Sequence, residues 1–162
     1  RTAGFAQAER ACQRIGAAFQ GRIHQTDTYF KAVRGRLKLR VCNPGEKYLI
    51  FYERPDDKGP KVSDYLMVKV QDGMEELLGS ALEVIAQVKK TRSLYLWRNV
   101  RIHLDQVDDL GEFIEFEAVQ AEGMNETDEY GKVEYLMRMF GITEEALLAS
   151  SYLEMRLQGG WK

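Results

Sequence analysis

The sequence predicts an α+β domain, an antiparallel sheet that closes on itself with helices packed on it. Three observations predict it. Seven segments, at 22–30, 36–42, 47–54, 62–70, 88–97, 99–107 and 112–120, alternate apolar and polar residues or are rich in β-branched and aromatic ones. Most are joined by hairpin-short connections, which suit antiparallel neighbours and not parallel ones. Helical periodicity is confined to the start, the middle and the end of the chain.

Phe5, Ala8, Cys12 and Ile15 recur at spacings of three and four before Gly16, which predicts an opening amphipathic helix. Asn43-Pro44-Gly45 and Asp56-Asp57-Lys58-Gly59-Pro60 supply turns between strands. Asp72 and Glu75 read as a capping box for a second helix with Leu77, Leu78, Ala81, Leu82 and Ile85 inward. Tyr130, Val133, Leu136, Met137 and Phe140 form a third stripe stopped by Gly141, and Thr143 caps a short final helix. No repeat, low-complexity run or linker interrupts the order, so 1–162 reads as one domain.

Composition excludes several classes. With 44% hydrophobic and 30% charged residues the chain is globular rather than disordered. Lys plus Arg number 23 against 25 Asp plus Glu, so no chain-wide basic footprint for nucleic acid exists. Cys12 and Cys42 are too few for a disulfide framework or a cysteine zinc site, and read as reduced core thiols. Neither a membrane-length apolar run nor a signal-peptide pattern is found, so a cytoplasmic protein without membrane contact is expected.

The strands sort their charges. Arg36, Lys38 and Arg40 share one face while Leu37, Leu39 and Val41 share the other. Arg101, His103 and Asp105 oppose Val100, Ile102 and Leu104, and Glu115 and Glu117 oppose Ile114 and Phe116. Tyr52 and Arg54, and likewise Lys90 and Arg92, fall two apart. A charged face on a half-buried antiparallel strand is ordinarily solvated. Here the sign is segregated, basic on 36–40 and 90–92 and acidic on 115–117, which surface decoration does not require. Carboxylates two apart on a strand lie roughly 7 Å apart at the backbone and suit a hard cation that keeps waters or phosphates as its other ligands. Arginine and lysine suit phosphate oxygens. Metal and cationic clamp together are the equipment of phosphoryl chemistry.

Other residues read as structural or as mixed. His103 fits a hydrogen-bonding role better than that of a general base, and two histidines do not make a zinc centre. Tyr29 and Tyr152 suit the lining of a site or its rim. Tyr95 and Trp97 suit packing, and turn-adjacent Lys61 suits solvent.

Several words of the sequence resemble the CYTH, or triphosphate tunnel metalloenzyme, superfamily, in its class IV adenylate cyclase-like branch. Asp27-Thr28-Tyr29-Phe30 followed by Gly35-Arg36-Leu37-Lys38-Leu39-Arg40 is similar to the family's second and third strands. Leu49 to Asp56, continuing through Lys61 to Tyr65, resembles the next hairpin, and Val88 to Tyr95 a strand bearing further cations. Arg101 to Glu117 resembles the L-D-x-V-x-x-L-G-x-F-x-E-x-E signature without a gap, and Ser151-Tyr152-Leu153 a closing segment. The resemblance spans about 22–153.

The resemblance implies an eight-stranded antiparallel barrel around a charged tunnel, with helices packed outside. It implies that Lys38, Arg40, Arg54, Lys90 and Arg92 bind phosphates, Lys38, Arg40 and Arg92 serving catalysis. Glu115, Glu117 and Asp105 would hold Mg²⁺ or Mn²⁺. The family's first strand, E-x-E-x-K, precedes its first helix and is absent from this chain, so its place is expected upstream of Arg1. Tyr52 stands where many relatives place a lysine. The implied activity is that of an adenylate cyclase. Alternatives are a hydrolase of thiamine triphosphate or tripolyphosphate, and a non-catalytic binder of nucleotides or polyphosphate. Monomer and homodimer are both open.

Overall fold

The structure, a computed structural model, describes residues 4–53, 65–119, 125–148 and 150–159. The elements are α1 (Phe5–Arg14), β1 (Ala18–Phe30), β2 (Arg36–Cys42), β3 (Glu46–Tyr52), β4 (Tyr65–Val70), α2 (Met74–Ala81), β5 (Val84–Trp97), β6 (Val100–Val107), β7 (Gly111–Ala118), α3 (Glu126–Phe140), a 3₁₀ turn (Glu144–Ala146) and α4 (Tyr152–Gln158). The strands form one sheet in the order β4-β3-β2-β1-β5-β6-β7. Its order is linear, with β4 and β7 at the ends, so among the described residues the sheet is open and has seven strands rather than the eight of the expected closed barrel.

All seven expected strands form, but two, β1 and β5, begin four residues earlier than the pattern suggests. β1 starts at Ala18, where both faces are largely exposed and alternation has nothing to report. β5 starts at Val84, because the apolar run Val84-Ile85-Ala86 cannot be told from a buried helix by period alone. Ile85 is therefore a strand residue and not part of the second helix.

The chain divides into two compact units, Arg1–Ile23 with Thr91–Leu147, and His24–Lys90 with Leu148–Lys162. The boundary crosses the chain inside β1, inside β5 and between Leu147 and Leu148. In the first unit, Ala8, Ala11 and Cys12 of α1 meet Val100, Ile102 and Leu104 of β6 and Leu136 and Phe140 of α3. Burial pushes the Cys12 thiol up to about 11, so it stays a neutral, inert core group. Tyr130, expected inside, is half exposed near the start of α3. Asn125 caps that helix and Gly141 ends it in the left-handed region, as expected of a glycine stop.

In the second unit, Phe30, Leu39 and Leu78 form the core with Leu37, Leu49, Leu82 and Val84 around them. Leu77, expected inward, is largely exposed. The capping box expected at Asp72 and Glu75 does not form. Gly73 is the N-cap, with no side-chain cap, and Lys47 Nζ takes Asp72 at 3.0 Å and Glu75 at 3.1 Å instead. Thr143 likewise makes no capping bond to the turn after it. The reciprocal box lies at Ser151 and Glu154, at the start of α4.

Gly35, at φ 61°, starts the approach to β2, and a Cβ there would meet the Phe51 ring at 2.7 Å and the Tyr52 carbonyl oxygen at 2.9 Å. Strain and clash act together, so Gly35→Ala is expected to destabilise by about 1–3 kcal/mol, read as a lowered midpoint in urea. A midpoint equal to wild type would show that this turn relaxes freely.

Candidate functional site

The second unit builds a cationic cluster from strand register. Antiparallel pairing sets Asp27 opposite Arg40 and Tyr29 opposite Lys38, so all four fall on one face. Asp27 is 2% exposed. Arg40 donates to it through Nε and Nη2, each at 2.7 Å, and Lys38 Nζ donates at 3.0 Å. Burial alone would raise the Asp27 pKa, but the charges of Lys38 and Arg40 outweigh it and hold the carboxyl well below the usual range. The Lys38 ammonium also lies 5.5 Å from the Tyr29 ring centre and 5.4 Å from that of Tyr52. Burial, followed by the Asp27 charge, pushes the Tyr29 hydroxyl well above its ordinary value. It stays protonated.

Lys90 of β5 is 5% exposed, with Nζ 5.1 Å above the Tyr152 ring. It also lowers the Asp27 pKa, so three cations share the field of one carboxylate. Arg36, on the same face of β2, is turned to α4, where it donates to Ser151 Oγ at 2.7 Å and to Glu154. Gln25, two residues before Asp27, buries an Oε1 that finds no donor among the described residues. An unpaired buried acceptor on the charged face is the kind of group a bound molecule or a water satisfies.

The first unit holds the second cluster. Arg92 donates to Asp105 through Nε at 2.7 Å and Nη2 at 2.6 Å, and Nη2 also reaches Glu115 at 2.7 Å. Asp105 is wholly buried, and both its oxygens face Arg92. β6 and β7 pair His103 with Glu115 and Arg101 with Glu117. His103 Nδ1 lies 3.5 Å from Glu115 Oε2 and Nε2 3.7 Å from Glu117 Oε2, so the ring sits between the two carboxylates. Their side chains are 51% and 37% exposed, open to solvent and to a ligand.

Lys38, Arg40 and Lys90 thus stand in one cluster and Arg92, Asp105, Glu115 and Glu117 in the other. Arg54 and Lys61 lie outside the described residues. Among the described residues no group of three or more His, Cys, Asp or Glu is placed to hold a metal. The pair Glu115 and Glu117 alone fits a hard cation that keeps waters and takes phosphate oxygens, as Mg²⁺ and Mn²⁺ do, and does not fit a cage made of protein alone. Sequence reading missed Asp27 as the anchor of Lys38 and Arg40. Its signal was a lone acid between Gln25 and Tyr29 on a face otherwise bearing no negative charge.

An antiparallel sheet with helices, and buried ion pairs within each unit, defines an α+β protein with charged strand positions. The CYTH domain model matches residues 2–152, and the chain belongs to that family. It is similar to a protein of Methanocaldococcus jannaschii named "putative adenylate cyclase", 23% identical over 154 residues, which are 89% of this chain and 87% of that one. A solved protein of Pyrococcus horikoshii superposes with a TM-score of 0.81 at 28% identity, covering 94% of both chains. Another, titled a "putative adenylate cyclase" from Vibrio parahaemolyticus, gives 0.73 at 24% identity over 96% of this chain and 92% of its own, a likeness of fold. No described helix is long and apolar enough to cross a membrane.

Proposed function

We propose that this chain is a metal-dependent enzyme acting on triphosphates, an adenylate cyclase that converts ATP to cyclic AMP and pyrophosphate. The observation that carries the reading is the gathering of three cations around the buried Asp27. Lys38 and Arg40 both bond the buried Asp27 in partly desolvated surroundings, and the charge of Lys90 also reaches it. Such a gathering suits a polyanion, since linked phosphates can engage cations on different strands together. The names of the relatives, and the family itself, point the same way.

In this reading Lys38, Arg40 and Lys90 bind phosphate oxygens, and Arg92, oriented by Asp105, neutralises charge on the reacting group. Glu115 and Glu117 would hold the Mg²⁺ or Mn²⁺, which when bound supplies further neutralisation of phosphate charge. The ribose 3′-hydroxyl oxygen forms a bond to the α-phosphorus. The bond to the bridging oxygen breaks, pyrophosphate leaves with the electron pair, and the hydroxyl proton passes to solvent. Asp105, buried against Arg92, is assigned to that arginine rather than to the metal.

Products decide among the members of the class. The protein is incubated with ATP, thiamine triphosphate and tripolyphosphate, each with Mg²⁺ or Mn²⁺. Cyclic AMP and pyrophosphate are expected from ATP. Release of orthophosphate instead would make it a triphosphate hydrolase, and binding without turnover a non-catalytic binder. Binding has its own readout. Tripolyphosphate at ~1 mM is expected to raise the melting temperature by several degrees, roughly what 1–2 kcal/mol gives a chain of this size. Sulfate at the same concentration is expected to do much less, because one small anion does not span separate strands. Equal shifts for the two anions would count against a polyphosphate site.

A further inference from the structure

Asp27 is a puzzle for a phosphate site. It puts a negative charge, 2% exposed, beside two cations assigned to attract an anion. Coulomb attraction alone would be better served by a neutral residue there. Geometry gives the carboxylate another use. A lysine is a point charge on a flexible stem, and an arginine fork can rotate about its own torsions. Here the Lys38 ammonium is confined by Oδ2 at 3.0 Å and by the faces of Tyr29 and Tyr52. The Arg40 guanidinium plane is fixed by two bonds of 2.7 Å, through Nε to Oδ1 and through Nη2 to Oδ2. Both cations converge on Oδ2, so their separation is set by one rigid group rather than by their own torsions. The carboxylate has little room to move, since Asp27 sits within β1, in register opposite Arg40 of β2, and is 2% exposed.

We propose that Asp27 is a positioning residue that sets the spacing of Lys38 and Arg40, and through it the preference for linked phosphates over a single tetrahedral anion. The proposal rests on the phosphate-binding reading of those two cations. Asp27 touches no phosphate and acts through its neighbours.

The two effects of removing it have opposite signs. Asp27→Asn raises the net positive charge of the cluster, which favours any anion, and leaves one neutral acceptor where two charged oxygens held both cations, which disfavours only a ligand that needs them at a fixed distance. Thermal-shift titrations of wild type, Asp27→Asn and Asp27→Glu with tripolyphosphate and with sulfate separate the two. Asp27→Asn is expected to weaken tripolyphosphate binding ~10-fold or more while sulfate binding stays level or tightens. Loss of fold cannot produce that divergence, because it weakens both. Asp27→Glu keeps the buried charge and moves it by one methylene, so it covers the case in which the amide variant fails to fold. It is expected to lose tripolyphosphate affinity several-fold with sulfate unchanged. Tripolyphosphate binding as tight as wild type in the folded variants would overturn the positioning role. A wild type that binds sulfate as well as tripolyphosphate would overturn the phosphate reading itself, and the proposal with it.

Discussion

Glu115→Gln and Glu117→Gln are each expected to reduce metal-supported turnover by about two orders of magnitude or more, while the protein stays folded. An amide keeps the shape of the side chain and one acceptor oxygen but removes the charge that a hard divalent cation requires. Both carboxylates are substantially exposed, at 51% and 37%, so neither change strands a buried charge. Glu115 does accept from Arg92 Nη2 at 2.7 Å, but that arginine keeps both of its bonds to Asp105. Each variant should therefore melt within a few degrees of wild type. Turnover is measured against Mg²⁺ and Mn²⁺ concentration, and Mn²⁺ binding is followed directly by electron paramagnetic resonance. Weakened Mn²⁺ binding together with lost turnover fits the assignment. Full turnover at limiting metal in either variant would remove the pair from the metal site.

The faces of the strands were legible in the sequence because a period of two fixes them without knowledge of any partner. Lys38 and Arg40 had to fall together, as did Glu115 and Glu117. What each side chain touches was not legible. The bonds from Lys38 and Arg40 to Asp27 depend on the β1–β2 register, and the bond from Arg36 to Glu154 joins residues 118 apart in sequence. No local pattern encodes such a distance. Helix starts show the same limit from the other side. Asp72 with Glu75 and Ser151 with Glu154 both fit the capping spacing, yet only the second caps. Lys47, in strand β3, claims both acids of the first. A local motif holds where no distant charge competes for it. The early start of β5 has a related cause, since an unbroken apolar run states burial but not the element buried.

Arg92→Met is expected to be strongly destabilising, by about 3–5 kcal/mol, because it takes from a buried carboxylate its bidentate guanidinium partner. Asp105 has 0% exposure and cannot reach water to recover its solvation. The lost bonds, at 2.7 and 2.6 Å, are charge-assisted and bidentate, the geometry in which one partner is most dependent on the other. For a chain of this length that loss corresponds to a fall of roughly 10 °C in melting temperature. The double variant Arg92→Met with Asp105→Leu is expected to recover most of the deficit, since it removes the buried charge as well as the arginine and substitutes apolar contact. Neither variant should turn over substrate, because both lack the guanidinium that the proposed mechanism places on the phosphate. Stability and activity therefore part company in the double variant. Chemical denaturation of wild type and of both variants reads the first, and product formation the second. A single variant within 1 kcal/mol of wild type would mean that Asp105 finds solvation elsewhere in the folded chain. A double variant that regains activity along with stability would mean that Arg92 serves the fold and not the reaction.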